Sequence, residues 1–251
     1  MLAVFEESIG KAPEELRVPA IWPEKSKNRP EIEEMFSNLW PDSIFYSHLG
    51  GQFMAFLRRE RPELRSIVVK EDVFCVFMGS LDNLCDIRRH YGLSRHIYEA
   101  LLVVELYSVY QERAPYPIDQ VVGDLVGKFA FILFDTKKGT LFVARDRGGA
   151  ANLNWGVCKD QSLVFSDQSD TILKVCENSW APFPAGFMFW NQSGLQSFIH
   201  PLHKVRAIPR VDPHDNKCGA LFQVDLFNRV KSIPRVGSTA NWMSTTTNEG
   251  E

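Results

Sequence analysis

The stretch LVGKFAFILFDTKKGTLFVARDRGGAANLNWGV, from Leu125 to Val157, decides the fold. Apolar residues alternate or run together on both sides of Thr136-Lys137-Lys138-Gly139, a polar turn that ends in glycine. That pattern predicts a β-hairpin, with Lys128–Phe134 leading up and Thr140–Arg145 returning. A third strand is expected near Asn152–Cys158, after the flexible Gly148-Gly149 pair. The turn Lys159-Asp160-Gln161 then leads into a fourth, Leu163–Phe165.

Working outward, the apolar run Leu2–Phe5 predicts a first strand, followed by a proline-marked loop, Lys11–Pro30, expected to be exposed and mobile. Pro30 suits the first position of a helix through Leu39, with glutamates in its opening turn. Strands are expected near Ile44–His48, Gln52–Leu57, Ser66–Lys70 and Val73–Met78. Asp82–His90 reads as a helix stopped at Tyr91-Gly92. Ser94 is a good N-cap for a long helix to Arg113, apolar nearly all round and so expected to be sandwiched between layers. Pro115 and Pro117 precede a short helix, Ile118–Val126. A late hairpin, Phe187–Trp190 with Leu195–Ile199, and a strand at Cys218–Phe227 complete the pattern. One domain over residues 1–230 is expected, with 231–251, rich in Gly, Ser, Thr and Asn, as a disordered tail. The pattern by itself specifies an α+β protein.

A chain of 251 residues with 45% hydrophobic content can bury a large core. Its net charge of −3 gives no basic footprint for nucleic acid, and the short clusters Arg58–Arg61 and Arg88–His90 read as solvated faces. No apolar run approaches the roughly 20 residues that span a bilayer. Leu2–Phe5 is followed at once by Glu6-Glu7, unlike a signal peptide, and Leu2 stands where myristoylation needs glycine. The five cysteines share no CxxC spacing. These features lead us to expect a protein of the cytoplasm, and also of the nucleus, with no cofactor.

Gly127-Lys128-Phe129-Ala130-Phe131, Asp135, Leu141–Arg147 and Trp155-Gly156, in that order and spacing, resemble the glutaminase domain of class II glutamine amidotransferases. The resemblance runs from about Leu2 to Val205. It implies a four-layer αββα sandwich of the N-terminal nucleophile hydrolase type. It also implies a catalytic cysteine as first residue, whose free α-amino group acts as the base. Here the chain opens Met1-Leu2-Ala3-Val4-Phe5; Leu2 is too large for methionine removal, and the first cysteine is Cys75. Ser8 would become terminal only by cleavage, and nothing around it marks a processing site. The family's oxyanion Asn-Gly matches Met78-Gly79, and a thioether donates no hydrogen bond; one such donor is worth about 2.7–4 kcal/mol in the transition state. The family's Asp-x-Glu, whose aspartate holds the substrate amino group, matches Ile97-Tyr98-Glu99. The arginine that would clamp the substrate carboxylate is Arg58, Arg59 or Arg65.

The opening MLAVF, GSLDNLCDIRRHYGL (Gly79–Leu93), RAPYP (Arg113–Pro117) and PFPAG (Pro182–Gly186) further resemble the plant aluminium-induced proteins with YGL and LRDR signatures. YGL is intact as Tyr91-Gly92-Leu93; LRDR has become Tyr110-Gln111-Glu112-Arg113. That resemblance implies a glutaminase fold without its nucleophile, associated with stress or hormone responses. The expected catalytic set is empty. A vestigial pocket of Leu2, Met78, Gly79, Ile97 and Glu99 is expected to take a small ligand or an unidentified protein partner, and the YGL region is the expected contact of a homodimer. Arg145 and Asp146 read as structural, through an ion pair, more readily than as chemistry. Asp82-Asn83 reads as a helix cap. His200 and His203, separated by Pro201, and the polar loop holding Asp212, His214, Asp215 and Cys218 read as turns rather than a metal site.

Overall fold

A computed structural model describes residues 1–13, 16, 26–48, 52–57, 65–112, 118–177, 179–211 and 217–225. Among them the elements run β1 (Leu2–Phe5), α1 (Arg29–Leu39), β2 (Ser43–His48), β3 (Gln52–Leu57), β4 (Arg65–Lys70) and β5 (Val73–Leu81). Then come α2 (Leu84–His90), α3 (Glu99–Glu112), α4 (Ile118–Gly123), β6 (Gly127–Asp135), β7 (Thr140–Arg145), β8 (Asn154–Val157) and β9 (Leu163–Ser166). The last are α5 (Ser169–Cys176), β10 (Trp180–Pro182), β11 (Phe187–Trp190), β12 (Gly194–Ser197), β13 (Lys204–Val211) and β14 (Lys217–Asp225).

Two six-stranded sheets, β10-β8-β9-β1-β3-β2 and β12-β11-β7-β6-β5-β4, form the two inner layers. Alternation of apolar side chains along the strands sends one set inward and the other outward. Ala3, Phe5, Met78, Ile132, Phe134, Trp155 and Phe189 meet between the sheets in one buried cluster. Leu2, Val4, Phe53 and Val164 face outward against Ile32 and Phe36 of α1 and Ile172 and Val175 of α5. On the opposite side Cys75, Phe77, Phe131 and Leu133 pack under α3 and α4. The layers therefore run helix, sheet, sheet, helix, as the resemblance to the glutaminase domain implied. Trp155 is fully buried in the inter-sheet cluster, with ring centroids 4.8 Å from Phe183, 5.6 Å from Phe222 and 5.7 Å from Phe189.

The quoted hairpin is observed, with Phe131 opposite Ala144 and Leu133 opposite Phe142. Helix α1 begins one residue before Pro30, at a capping box. Asn28 accepts from the Glu31 amide at 3.1 Å, while its own amide donates to the Glu31 carboxylate at 2.9 Å. The long helix does not start after Ser94 but at Glu99. Ser94 Oγ reaches only the His96 amide, at 3.4 Å, and the Ala100 amide is instead met by Ser66 Oγ of β4 at 3.3 Å. Three elements were not foreseen: α5, the short β10, and β13, whose Pro209 is tolerated because β13 pairs only with β14. The C-terminal tail, the RAPYP block and most of the proline-marked loop lie outside the described residues.

One buried polar group ties α3 to the β6–β7 turn. Asp135 accepts from the Tyr107 phenol at 2.9 Å and from the amides of Lys137 and Lys138 at 3.0 Å. Burial, opposed by the Thr140 hydroxyl and reinforced by Asp135, pushes the Tyr107 phenol up to about 12. A raised folded-state value means the stabilisation is complete below the unfolded value near 10 and is lost as pH rises toward 12. We expect urea melts to lose about 2 kcal/mol across that window in the native chain and not in Tyr107→Phe. Parallel losses in both proteins would show that Tyr107 is not the titrating group.

Candidate functional site

The register of the first sheet builds the site. β1 lies antiparallel to β9 with Leu2 opposite Ser166, so Met1 comes level with Asp167. The Met1 α-ammonium donates to Asp167 Oδ1 at 2.8 Å, and the Met1 side chain is fully buried in the inter-sheet core. Asp167 Oδ2 accepts from the guanidinium of Arg65, the first residue of β4 in the other sheet. One carboxylate thus joins the head of β1 to the edge strand of the facing sheet. The Ser166 hydroxyl donates to the Met1 carbonyl at 2.8 Å and accepts the Gln168 amide at 3.1 Å, which fixes the chain on both sides of Asp167. Chemically, the residue at this position carries a thioether, with no proton to surrender and no anionic form, and its amino group is engaged by a carboxylate.

Met78 lies opposite Arg65 in the β4–β5 ladder and points into the same inter-sheet core as Met1. Its neighbour Gly79 has φ +98°, and an added Cβ would stand 1.9 Å from the Lys128 carbonyl oxygen of β6. The other proposed pocket residues are placed elsewhere. Leu2 is buried on the outer face toward α1 and α5. Ile97 is buried in the layer under α3, and Glu99 is half-buried at that helix's first turn. Leu2, Met78 and Ile97 therefore face three different packed layers. Of the three candidate carboxylate clamps, Arg65 is at the site, whereas Arg58 and Arg59 lie outside the described residues.

The YGL signature has a local structural role. The Leu93 amide donates to the Arg88 carbonyl at 2.7 Å and the Gly92 amide to that of Arg89 at 3.3 Å, with Gly92 at φ +66°. This is the Schellman arrangement that stops α2, and Tyr91 and Leu93 fold back against the α3 layer. Asn83 stands at the N-cap of α2 but makes no cap bond. It bridges instead to the 124–126 turn, donating to the Asp124 carbonyl at 2.8 Å and accepting the Val126 amide at 3.0 Å. Arg145 donates to the carbonyls of Gly149, Ala151 and Phe183, and Asp146 accepts the amides of Gly148, Ala150 and Ala151. Each is thus satisfied by backbone, not by a hydrogen-bonded pair with the other. Burial pulls the Arg145 guanidinium down, opposed by Asp146.

His200 and His203 bring their rings to 5.2 Å, with His200 Nδ1 accepting the Leu202 amide at 3.1 Å. Among the described residues no group of three or more potential ligands gathers around a metal-sized space. Asp212, His214 and Asp215 lie outside those residues. An open cavity of about 520 Å³ beside the YGL turn is lined by His90, Asp124, Arg147 and His200. A smaller one of about 70 Å³ opens at the far end of the sandwich. Tyr46, Met54, Phe74 and Phe134 line it, with the buried, unpaired amide oxygen of Gln52.

Asp167 is the residue that sequence reasoning missed. A carboxylate directly after the apolar run Leu163–Phe165 and Ser166 was visible. Its meaning needs the knowledge that this strand lies beside β1.

Two antiparallel sheets between helical layers define a four-layer αββα fold. The family model described as aluminium-induced protein matches residues 2–224, and the chain belongs to that family. It is 56% identical over 149 residues to the stem-specific protein TSJT1 of Nicotiana tabacum, covering 58% of this chain and 100% of the relative. It is 31% identical over 124 residues to the glutamine-hydrolyzing asparagine synthetase B of Escherichia coli, covering 49% of this chain. Of that relative's own length the match spans only 21%. A glutamine phosphoribosylpyrophosphate amidotransferase structure from Bacillus subtilis is similar at TM-score 0.44 and 16% identity, over 67% of this chain and 40% of that one. No described helix is long and apolar enough to cross a membrane.

Proposed function

We propose that this chain is a non-catalytic, glutaminase-like protein that acts by binding a small ligand or a protein partner in a plant stress or hormone response. The observation that carries the reading is Met1 itself: a buried thioether where the nucleophile would stand, with its amino group bound to Asp167. Met78 in place of an oxyanion donor and Ile97 in place of the amino-group acid support it. The family's description as aluminium-induced supports a stress setting; the cytoplasm or nucleus belongs to the same proposal. A processed start at Ser8 is opposed by the topology, because cleavage there would remove β1 from the middle of its sheet.

The test is direct. Protein whose intact mass includes Met1 is incubated with glutamine across the pH range, and ammonia is followed. No release above the buffer blank is expected; turnover that tracks the protein through purification would overturn the reading. Self-association belongs to the same proposal, and sedimentation showing one species at the mass of a single chain would remove it.

A further inference from the structure

We propose that Cys158 and Cys176 are an oxidative modification site, closed by peroxide to an intramolecular disulfide that ties α5 to the first sheet. Cys158 directly follows β8 and Cys176 is the last residue of α5. Their sulfurs lie 3.7 Å apart, and the residues are 1% and 0% exposed. A disulfide needs about 2.05 Å, so the sulfurs must close by a little under 2 Å, a distance that side-chain torsions supply once the backbones are this near.

The backbones are held near by independent contacts. A Cβ on Gly156 would stand 2.8 Å from Cys176 Sγ, so the end of α5 rests directly on β8 at a position only glycine leaves open. The Val157 amide donates to the Ser179 carbonyl and the Ser179 amide to that of Cys176, both at 2.9 Å. The Cys158 amide donates to the Ser162 carbonyl at 3.0 Å. Cys75 and Cys85 differ. Cys75 is buried under the opposite helical layer, and Cys85 is exposed on α2.

The chemistry balances with a peroxide as the named oxidant. One sulfur, as thiolate, attacks a peroxide oxygen and the O–O bond breaks, giving a sulfenic acid and water. The second sulfur attacks the first, the S–O bond breaks, and a second water leaves as the S–S bond forms. Two thiols are oxidised by two electrons and one hydrogen peroxide is reduced. The hydrogen bond with Cys176 and then burial push the Cys158 thiol up, so attack awaits a local opening. The place for that opening is the end of α5, an eight-residue helix followed at once by Glu177 at φ +49°. Peroxide is small enough to enter there; a bulky disulfide is not.

The experiment uses the full native chain treated with hydrogen peroxide, then unfolded, alkylated and digested. We expect a peptide linking Cys158 to Cys176 and recovery of those two thiols with dithiothreitol, beside separate oxidation of the exposed Cys85. Closing the loop is expected to raise Tm by about 5 °C. The link should vanish in Cys158→Ser and in Cys176→Ser, while the result on the native chain stands even if those variants fold poorly. Alkylation of both residues after Cys85 has been oxidised would overturn the proposal. So would sulfinic acid at either position without a link, or a bridge between two chains.

Discussion

Asp167→Ala is expected to lower stability by about 3 kcal/mol in urea unfolding at neutral pH. The carboxylate is 12% exposed and accepts from two cations, the fully buried amino terminus and the largely buried Arg65. Removing one partner of such a set leaves charge in a poorly solvated place, which typically costs about 3–5 kcal/mol. The lower end applies because Met1 and Arg65 keep other interactions. Asp167→Asn retains one acceptor and is expected to lose about half as much. Arg65→Ala should resemble Asp167→Ala in loosening the tie between the sheets, and the double variant should cost less than the sum. A loss below about 0.5 kcal/mol for Asp167→Ala would mean that the ion pairs are surface-like and that the amino terminus is held by packing alone.

Gly79→Ala is expected to be at least as damaging, by about 3–4 kcal/mol, for a different reason. The φ of +98° alone strains any residue with a Cβ. The added carbon would also lie 1.9 Å from a backbone carbonyl of β6, and neither strand has a flexible end that can give way. β5 and β6 would have to part where Gly79 faces Phe129, in the middle of the second sheet. Gly92→Ala is the control. Gly92 has φ +66° but nothing within 4 Å of its added carbon, so only the backbone strain of about 1–2 kcal/mol remains. Equal losses at the two positions would refute the close approach of β6.

The strands of the second sheet were legible because their signal is local. Hairpin residues 127–145 alternate around a turn that ends in glycine, and period-two patterning needs no knowledge of the rest of the chain. The start of α3 was misread because its capping partner, Ser66, sits 34 positions away on another strand, while Ser94 offered the expected residue type at the expected place. β13 was hidden by Pro209 and by having a single partner. At the candidate site the substitutions at Met1 and Met78 were readable from the motif order. Asp167 was not, since only the pairing of β1 with β9 gives it a role. The vestigial pocket was drawn from residues close in motif alignment, but side-chain alternation sends Leu2 and Met78 to opposite faces of their sheets.

The placement of β1 also dictates an order of assembly on the ribosome. β1 leaves before both strands that flank it in the finished protein, β3 and β9, the latter ending at Ser166. The β4–β7 part of the other sheet can complete its ladder once Arg145 has emerged. One side of Leu2–Phe5 therefore stays an open apolar edge until β9 has emerged. Until residue 166 arrives, the nascent chain carries a surface suited to capture by chaperones or to pairing with a neighbouring copy.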